Sequence, residues 1–95
     1  MVAKILIKRR IPEKKQNELL PYLIALRKKA TAQPGYISGE TLKNYHDPED
    51  YLVISTWKSV ESWQQWYDSA ERKKAQDKID RLLLSDTQYS VYLLG

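Results

Sequence analysis

QPGYISGETLKNYHDPEDYLVISTWKSVESWQQW, residues Gln33 to Trp66, decides the fold, because each reversal of the chain within it has its own chemistry. Gln33-Pro34-Gly35 stops what precedes it: proline lacks an amide donor, and glycine accepts the reversal. Tyr36 to Asn44 then reads as a strand, Asp47-Pro48-Glu49-Asp50 as a turn, and Tyr51 to Trp57 as a second strand. Ser59 is a good N-cap with Glu61 in the first turn, so a short helix runs from Val60 to Tyr67. Trp63 and Trp66, three residues apart, share one face of it, directly after the strand that ends in Trp57.

Working outward, Val2 to Ile11 is rich in β-branched residues and reads as a strand that Pro12 ends. From Glu13 the pattern turns helical, with Leu19, Leu20, Leu23, Ile24, Arg27 and Ala30 at spacings of three and four. Pro21 predicts a break there: a short helix through about Leu20 and a longer one from Pro21, where proline suits the first helical position. After the quoted stretch, Ser69 caps a further helix with Ala75, Ile79, Leu82 and Leu83 on one face, and Thr87 to Leu94 is the last strand. The order β-α-β-β-α-β predicts one ferredoxin-like α+β domain over residues 1–95, a four-stranded antiparallel sheet with helices on one face.

That sheet is apolar on both sides. Leu52 and Ile54 oppose Tyr51, Val53 and Trp57 in one strand, and Tyr89, Val91 and Leu93 oppose Tyr92 and Leu94 in another. Helices cover one side only, so the other is expected to meet a second copy of the chain across a two-fold axis. Strict alternation also places Tyr36 on one face with Ser38, Glu40 and Leu42, a mixed surface on which a polar ligand could be held.

Composition excludes several classes. The 95 residues are 42% hydrophobic and 29% charged, as in an ordinary folded chain, and contain no cysteine, so disulfides, thiolate catalysis and cysteine-built metal sites are out. No stretch approaches the ~20 apolar residues of a spanning helix, and Ile5-Leu6-Ile7 is too short for a signal segment, so the expected location is cytoplasmic with no membrane partner. The net charge of +4 comes from Lys8-Arg9-Arg10, Lys14-Lys15, Arg27-Lys28-Lys29 and Arg72-Lys73-Lys74, interspersed with Glu13, Glu18, Glu71 and Asp77. These clusters read as solvated faces rather than a nucleic-acid stripe. An RNA-recognition module has the same element order, but Ile5-Leu6-Ile7-Lys8 offers no stacking aromatic and Glu49 to Ile54 lacks the basic-glycine-aromatic pattern. His46, the one histidine, sits in the acidic turn and reads as a turn residue; no metal is expected.

Trp57, Trp63 and Trp66 converge on one strand–helix junction, where they can pack a core and line a cavity for a flat aromatic ligand, roles that do not exclude each other. The Pro34-Gly35-Tyr36 strand start, the Trp57-x-Ser59 junction, the Trp63-x-x-Trp66 helix with Ser69 after it, and the short last strand together resemble the antibiotic biosynthesis monooxygenase-like family of the dimeric α+β barrel superfamily. The resemblance covers nearly the whole chain. It implies a ferredoxin-like protomer pairing sheet to sheet, and members that include cofactor-independent monooxygenases of polycyclic phenols, quinol oxygenases and haem degraders. It places Trp57 at the pocket-lining tryptophan of the polyketide-oxidising members, Trp63 at a tyrosine of theirs and Val53 at an asparagine. Against the haem degraders, Trp66 matches the tryptophan that presses on the macrocycle, whereas Lys8 replaces an asparagine and Gln76 the axial histidine. Glutamine is not a practical haem ligand, so the expected chemistry needs no cofactor.

In such chemistry a phenol or quinol loses a proton and its electron-rich anion reacts with oxygen directly. The protein supplies a dry aromatic cavity from Trp57, Trp63 and Trp66, with Lys8, Tyr36 and Glu40 as the polar catalytic candidates. A ligand-binding or sensor dimer without catalysis is the alternative of another class.

Overall fold

A computed structural model describes residues 1–83 and 85–95. Strand β1 (Ala3–Arg10) leads through a 3-10 turn at Glu13–Lys15 into α1 (Gln16–Thr31). Strands β2 (Tyr36–Lys43) and β3 (Asp50–Trp57) form a hairpin, helices α2 (Val60–Asp68) and α3 (Ala70–Asp80) follow, and β4 (Gln88–Leu93) closes the sheet. The sheet order is β2-β3-β1-β4 with every neighbouring pair antiparallel, which is the ferredoxin-like α+β arrangement.

The serines read as caps have that geometry. Ser59 Oγ accepts from the amide of Ser62 and Ser69 Oγ from that of Arg72, both at 3.1 Å, so each short helix has an otherwise orphaned donor satisfied. Ser69 also donates to the carbonyl of Trp66 at 2.7 Å, which ties the end of α2 to the start of α3. Gly35 takes φ 86°, and a Cβ there would stand 2.5 Å from the side chain of Ser62; only glycine lets the β2 entry approach α2.

Pro21 does not divide the helix. It lies inside an unbroken α1, exposed, and the carbonyl its ring leaves without a donor belongs to Asn17, which is also exposed. Water can serve that carbonyl, while Leu19, Leu23, Leu26 and Ala30 hold the inner side against the core. Leu82 and Leu83 lie beyond the end of α3, in the turn that follows it, although Leu83 still packs with Ile79, Ile11 and Leu19.

Register assigns each strand residue a face. Ala3 pairs with Trp57 and Leu93, Ile5 with Ser55 and Val91, and Ile7 with Val53 and Tyr89. These residues turn toward the helices, where Ala3, Ile5, Trp57, Trp63 and Trp66 form a buried cluster. Lys4, Leu6 and Lys8 share the opposite face with Thr56, Ile54 and Leu52, and none of the helices among the described residues packs on it. On β2 an irregularity between Tyr36 and Ser38 changes the alternation. Tyr36 therefore turns inward with Gly39 and Thr41, while Ser38, Glu40 and Leu42 pair with Thr56, Ile54 and Leu52 of the open face. The shared face expected for Tyr36, Ser38, Glu40 and Leu42 is thus divided by one extra residue.

Candidate functional site

A cavity of about 420 Å³ lies between α1 and the inner face of the sheet. Trp57, Trp63, Trp66 and Tyr36 wall one end of it, and Arg9, Tyr51, Val53 and Ser55 form part of its floor. Leu20, Ile24 and Arg27 of α1 border it from above. The apolar stripe of α1 is thereby split. Leu19, Leu23, Leu26 and Ala30 pack inward, whereas Leu20 and Ile24 remain 53% and 57% exposed over the cavity.

The aromatic wall is fixed by contacts within it. Tyr36 meets Trp57 edge-on, with ring centroids 5.3 Å apart and planes at 89°. Trp57 is sealed at 1% exposure and donates its indole N–H to Ser55 Oγ at 3.1 Å, so its polar atom is satisfied inside the core. Trp63 leans on Tyr67 at 5.0 Å, and Tyr67 meets Tyr89 edge-on at 5.2 Å. Glycine at 39 is what lets Tyr36 lie along β2: an added Cβ would come within 2.5 Å of the phenol oxygen. All three tryptophans belong to the buried cluster, and all three also border this space.

The polar candidates separate. Tyr36 faces the cavity. Glu40 borders it on the edge strand, although its register partner is Ile54 of the open face. Lys8 stands on the open face opposite Leu52, exposed and 3.8 Å from Asp50, and does not join the group. His46 remains in the exposed hairpin turn, and no group of three His, Asp or Glu side chains among the described residues could hold a metal.

Two members of the basic clusters read as solvated are buried instead. Arg9 is 7% and Arg72 8% exposed. Arg9 Nη2 donates to Gln76 Oε1 at 3.1 Å, while its Nε has no partner. Burial lowers the Arg9 pKa from its ordinary value, with Tyr89 and Asp80 acting the other way. Arg72 stacks on Tyr67 at 4.2 Å, donates to the Tyr67 carbonyl at 2.6 Å and to the Tyr89 hydroxyl at 3.0 Å. Gln76 completes this layer by donating to Asp80 at 2.8 Å and Thr87 at 3.3 Å. With its oxygen held by Arg9 and its nitrogen by Asp80, the Gln76 amide does not fit the role of a haem ligand. Arg9 lines the cavity although the sequence places it only in a basic cluster. Its signal was its phase: in Ile5-Leu6-Ile7-Lys8-Arg9-Arg10-Ile11 it occupies the inward position between Ile7 and Ile11.

The model of the antibiotic biosynthesis monooxygenase family matches residues 3–78, and the chain belongs to that family. Solved structures agree on the fold. A conserved protein of Methanosarcina mazei Go1 superposes with a TM-score of 0.87 at 18% identity, over 97% of this chain and 91% of that one. SnoaB, a cofactor-independent oxygenase from Streptomyces nogalater, superposes with a TM-score of 0.85 at 12% identity, over 98% and 92% of the two chains. Rv0793 from Mycobacterium tuberculosis gives 0.85 at 13% identity, over 100% and 96%. No curated protein matches the sequence.

Proposed function

We propose that this protein is a cofactor-independent monooxygenase that oxidises a small phenol or quinol held in the cavity beneath α1, and that it works as a homodimer. The observation that carries this reading is the aromatic wall itself: Trp57, Trp63, Trp66 and Tyr36 around an unfilled space of about 420 Å³, within the 300–1,000 Å³ range typical of ligand pockets. Family membership supports the reaction class. A planar aromatic ring set against this wall is shielded from water on that side, and loss of its phenolic proton produces the anion that reduces oxygen. One oxygen atom enters the ring as a new carbonyl and the other leaves as water, so a phenol and dioxygen give a quinone and water. Tyr36 and Glu40 are the groups at the cavity that can take or relay the proton, and Arg9 supplies the fixed positive charge. Lys8 falls to the dimer surface in this scheme. There Leu6, Leu42, Leu52, Ile54 and Tyr92 offer an apolar face that a second copy covers.

Oxygen uptake over a panel of naphthols, anthrones and naphthoquinols tests the proposal. Saturable consumption that falls when Trp57, Trp63 or Trp66 is replaced is the expected result. Tight binding across the panel without oxygen consumption would make the protein a binding dimer instead.

A further inference from the structure

We propose that the cavity ligand is a hydroxylated aromatic carboxylic acid, and that Arg9 is the counter-charge for its carboxylate. The inference rests on the reading of the cavity as a ligand site and adds the class of ligand. A guanidinium removed from water is normally met by a carboxylate, because an unpaired buried charge is strongly unfavourable. Arg9 is 7% exposed and lines the cavity, yet its side-chain partners are the Gln76 oxygen and the Tyr89 hydroxyl, neither of them a carboxylate, and its Nε has none. The ion pairs among the described residues join Lys8 to Asp50 and Arg10 to Asp47 and Glu49, so neither Arg9 nor Arg72 belongs to one.

The surroundings do not cancel the charge. Asp80 acts on Arg9 from α3, but its carboxylate already receives the Gln76 amide, and the equally buried Arg72 adds a second positive charge on that side. Arg27 and Glu40 also border the cavity, but both are exposed to solvent, and Arg27 donates to the Gly39 carbonyl at 2.9 Å. The buried positive charge at the cavity is therefore that of Arg9. Next to it along β1 and β3 the lining is Ile7, Ile11, Tyr51 and Val53, with the indoles and Tyr36 further along the same cavity, which suits the apolar body of the same ligand. A carboxylate is ionised at neutral pH without any base, so it can dock on Arg9 before the phenol is deprotonated. Charge-assisted bonds from a guanidinium are among the stronger hydrogen bonds, and they would also fix which ring position meets oxygen.

The test is calorimetric titration of the whole protein with 3-hydroxy-2-naphthoate and with 3-hydroxy-2-naphthamide, which share a shape and differ in charge. The acid is expected to bind at least tenfold more tightly than the amide. Arg9→Gln should remove that preference while leaving amide affinity unchanged, and Arg9→Lys should restore part of it. Should Arg9→Gln fail to fold, the acid-to-amide ratio of the unaltered protein decides alone. Equal affinity for the two compounds overturns the role of Arg9 and leaves the cavity reading standing. Binding of neither overturns both.

Discussion

Gly39→Ala separates the cavity wall from the stability of the fold. The new Cβ would lie 2.5 Å from Tyr36 Oη and 3.5 Å from Cζ. Non-bonded carbon atoms rest at about 3.5–4.0 Å, so the phenol oxygen must retreat by about 1 Å and carries the ring with it. Tyr36 cannot retreat alone, because its ring is set edge-on against Trp57 at 5.3 Å. Losing that aromatic pair costs ~0.5–1.5 kcal/mol. Replacing a strand glycine by alanine returns ~0.5–1 kcal/mol. Net stability should therefore change by less than ~1 kcal/mol, a shift of the melting temperature within about 8 °C for a chain of this size. A ligand that stacks beside Tyr36 loses one aromatic contact, which is a fall in affinity of roughly two- to twelvefold. The assay is quenching of tryptophan fluorescence by 1-naphthol, read beside a thermal melt of the same sample. Tyr36→Phe removes the clashing oxygen and leaves only the 3.5 Å contact, so the double variant Tyr36→Phe, Gly39→Ala should bind better than Gly39→Ala alone. Undiminished affinity in Gly39→Ala, or no recovery in the double variant, would refute the placement of Tyr36 at the ligand.

Sedimentation should show a dimer at micromolar concentration, burying more than ~2,000 Å² in total, and Ile54→Asp on the open face should dissociate it; a well-folded unaltered monomer would remove the sheet-face interface. Trp66→Ala should lower stability by ~3–5 kcal/mol in denaturant unfolding, because the indole belongs to the buried cluster as well as to the cavity. Mixing the protein with haem should give no stoichiometric Soret shift, since both ends of the Gln76 amide are engaged. The hydrogen bond from Arg10 holds the Asp47 carboxyl below its ordinary pKa of 3.8, so the folded state gains stability above that value and loses it as pH falls through the depressed one. Asp47→Asn should flatten the acid limb of an unfolding curve in that window.

The elements were legible because their signals are local. Ser59 and Ser69 cap from their own side chains, and Gln33-Pro34-Gly35 breaks the chain wherever it stands. Strand order followed from those elements and the short connections between them. Pro21 misled because the cost of a proline is local whereas the packing of Leu19 and Leu23 that outweighs it is tertiary. The β2 irregularity left no mark in composition, since one extra residue in a strand resembles any other until the partner strand is known. Clustering concealed Arg9 and Arg72, because three adjacent charges look solvated as a group while strand alternation or helix phase turns one of them inward. The tryptophans were legible as a convergence, but the space beside them depends on α1 standing over β2 and β3, which no short window of sequence contains.

The two rows of α1 make the protein adaptable. Its inner row, Leu19, Leu23, Leu26 and Ala30, anchors the helix, while Leu20 and Ile24 one position further round are exposed at the cavity and Arg27 donates from that row to the Gly39 carbonyl at 2.9 Å. Substitutions of Leu20 and Ile24 remodel the space without removing a buried contact, so changes in cavity shape need not cost folding stability. Surface replacements of this kind generally fall within about ±0.5 kcal/mol. On the proposed reading, natural drift or a two-position library at 20 and 24 can therefore search ligand shapes on a constant scaffold, with Arg9, the indoles and the Arg27 bond to β2 left in place.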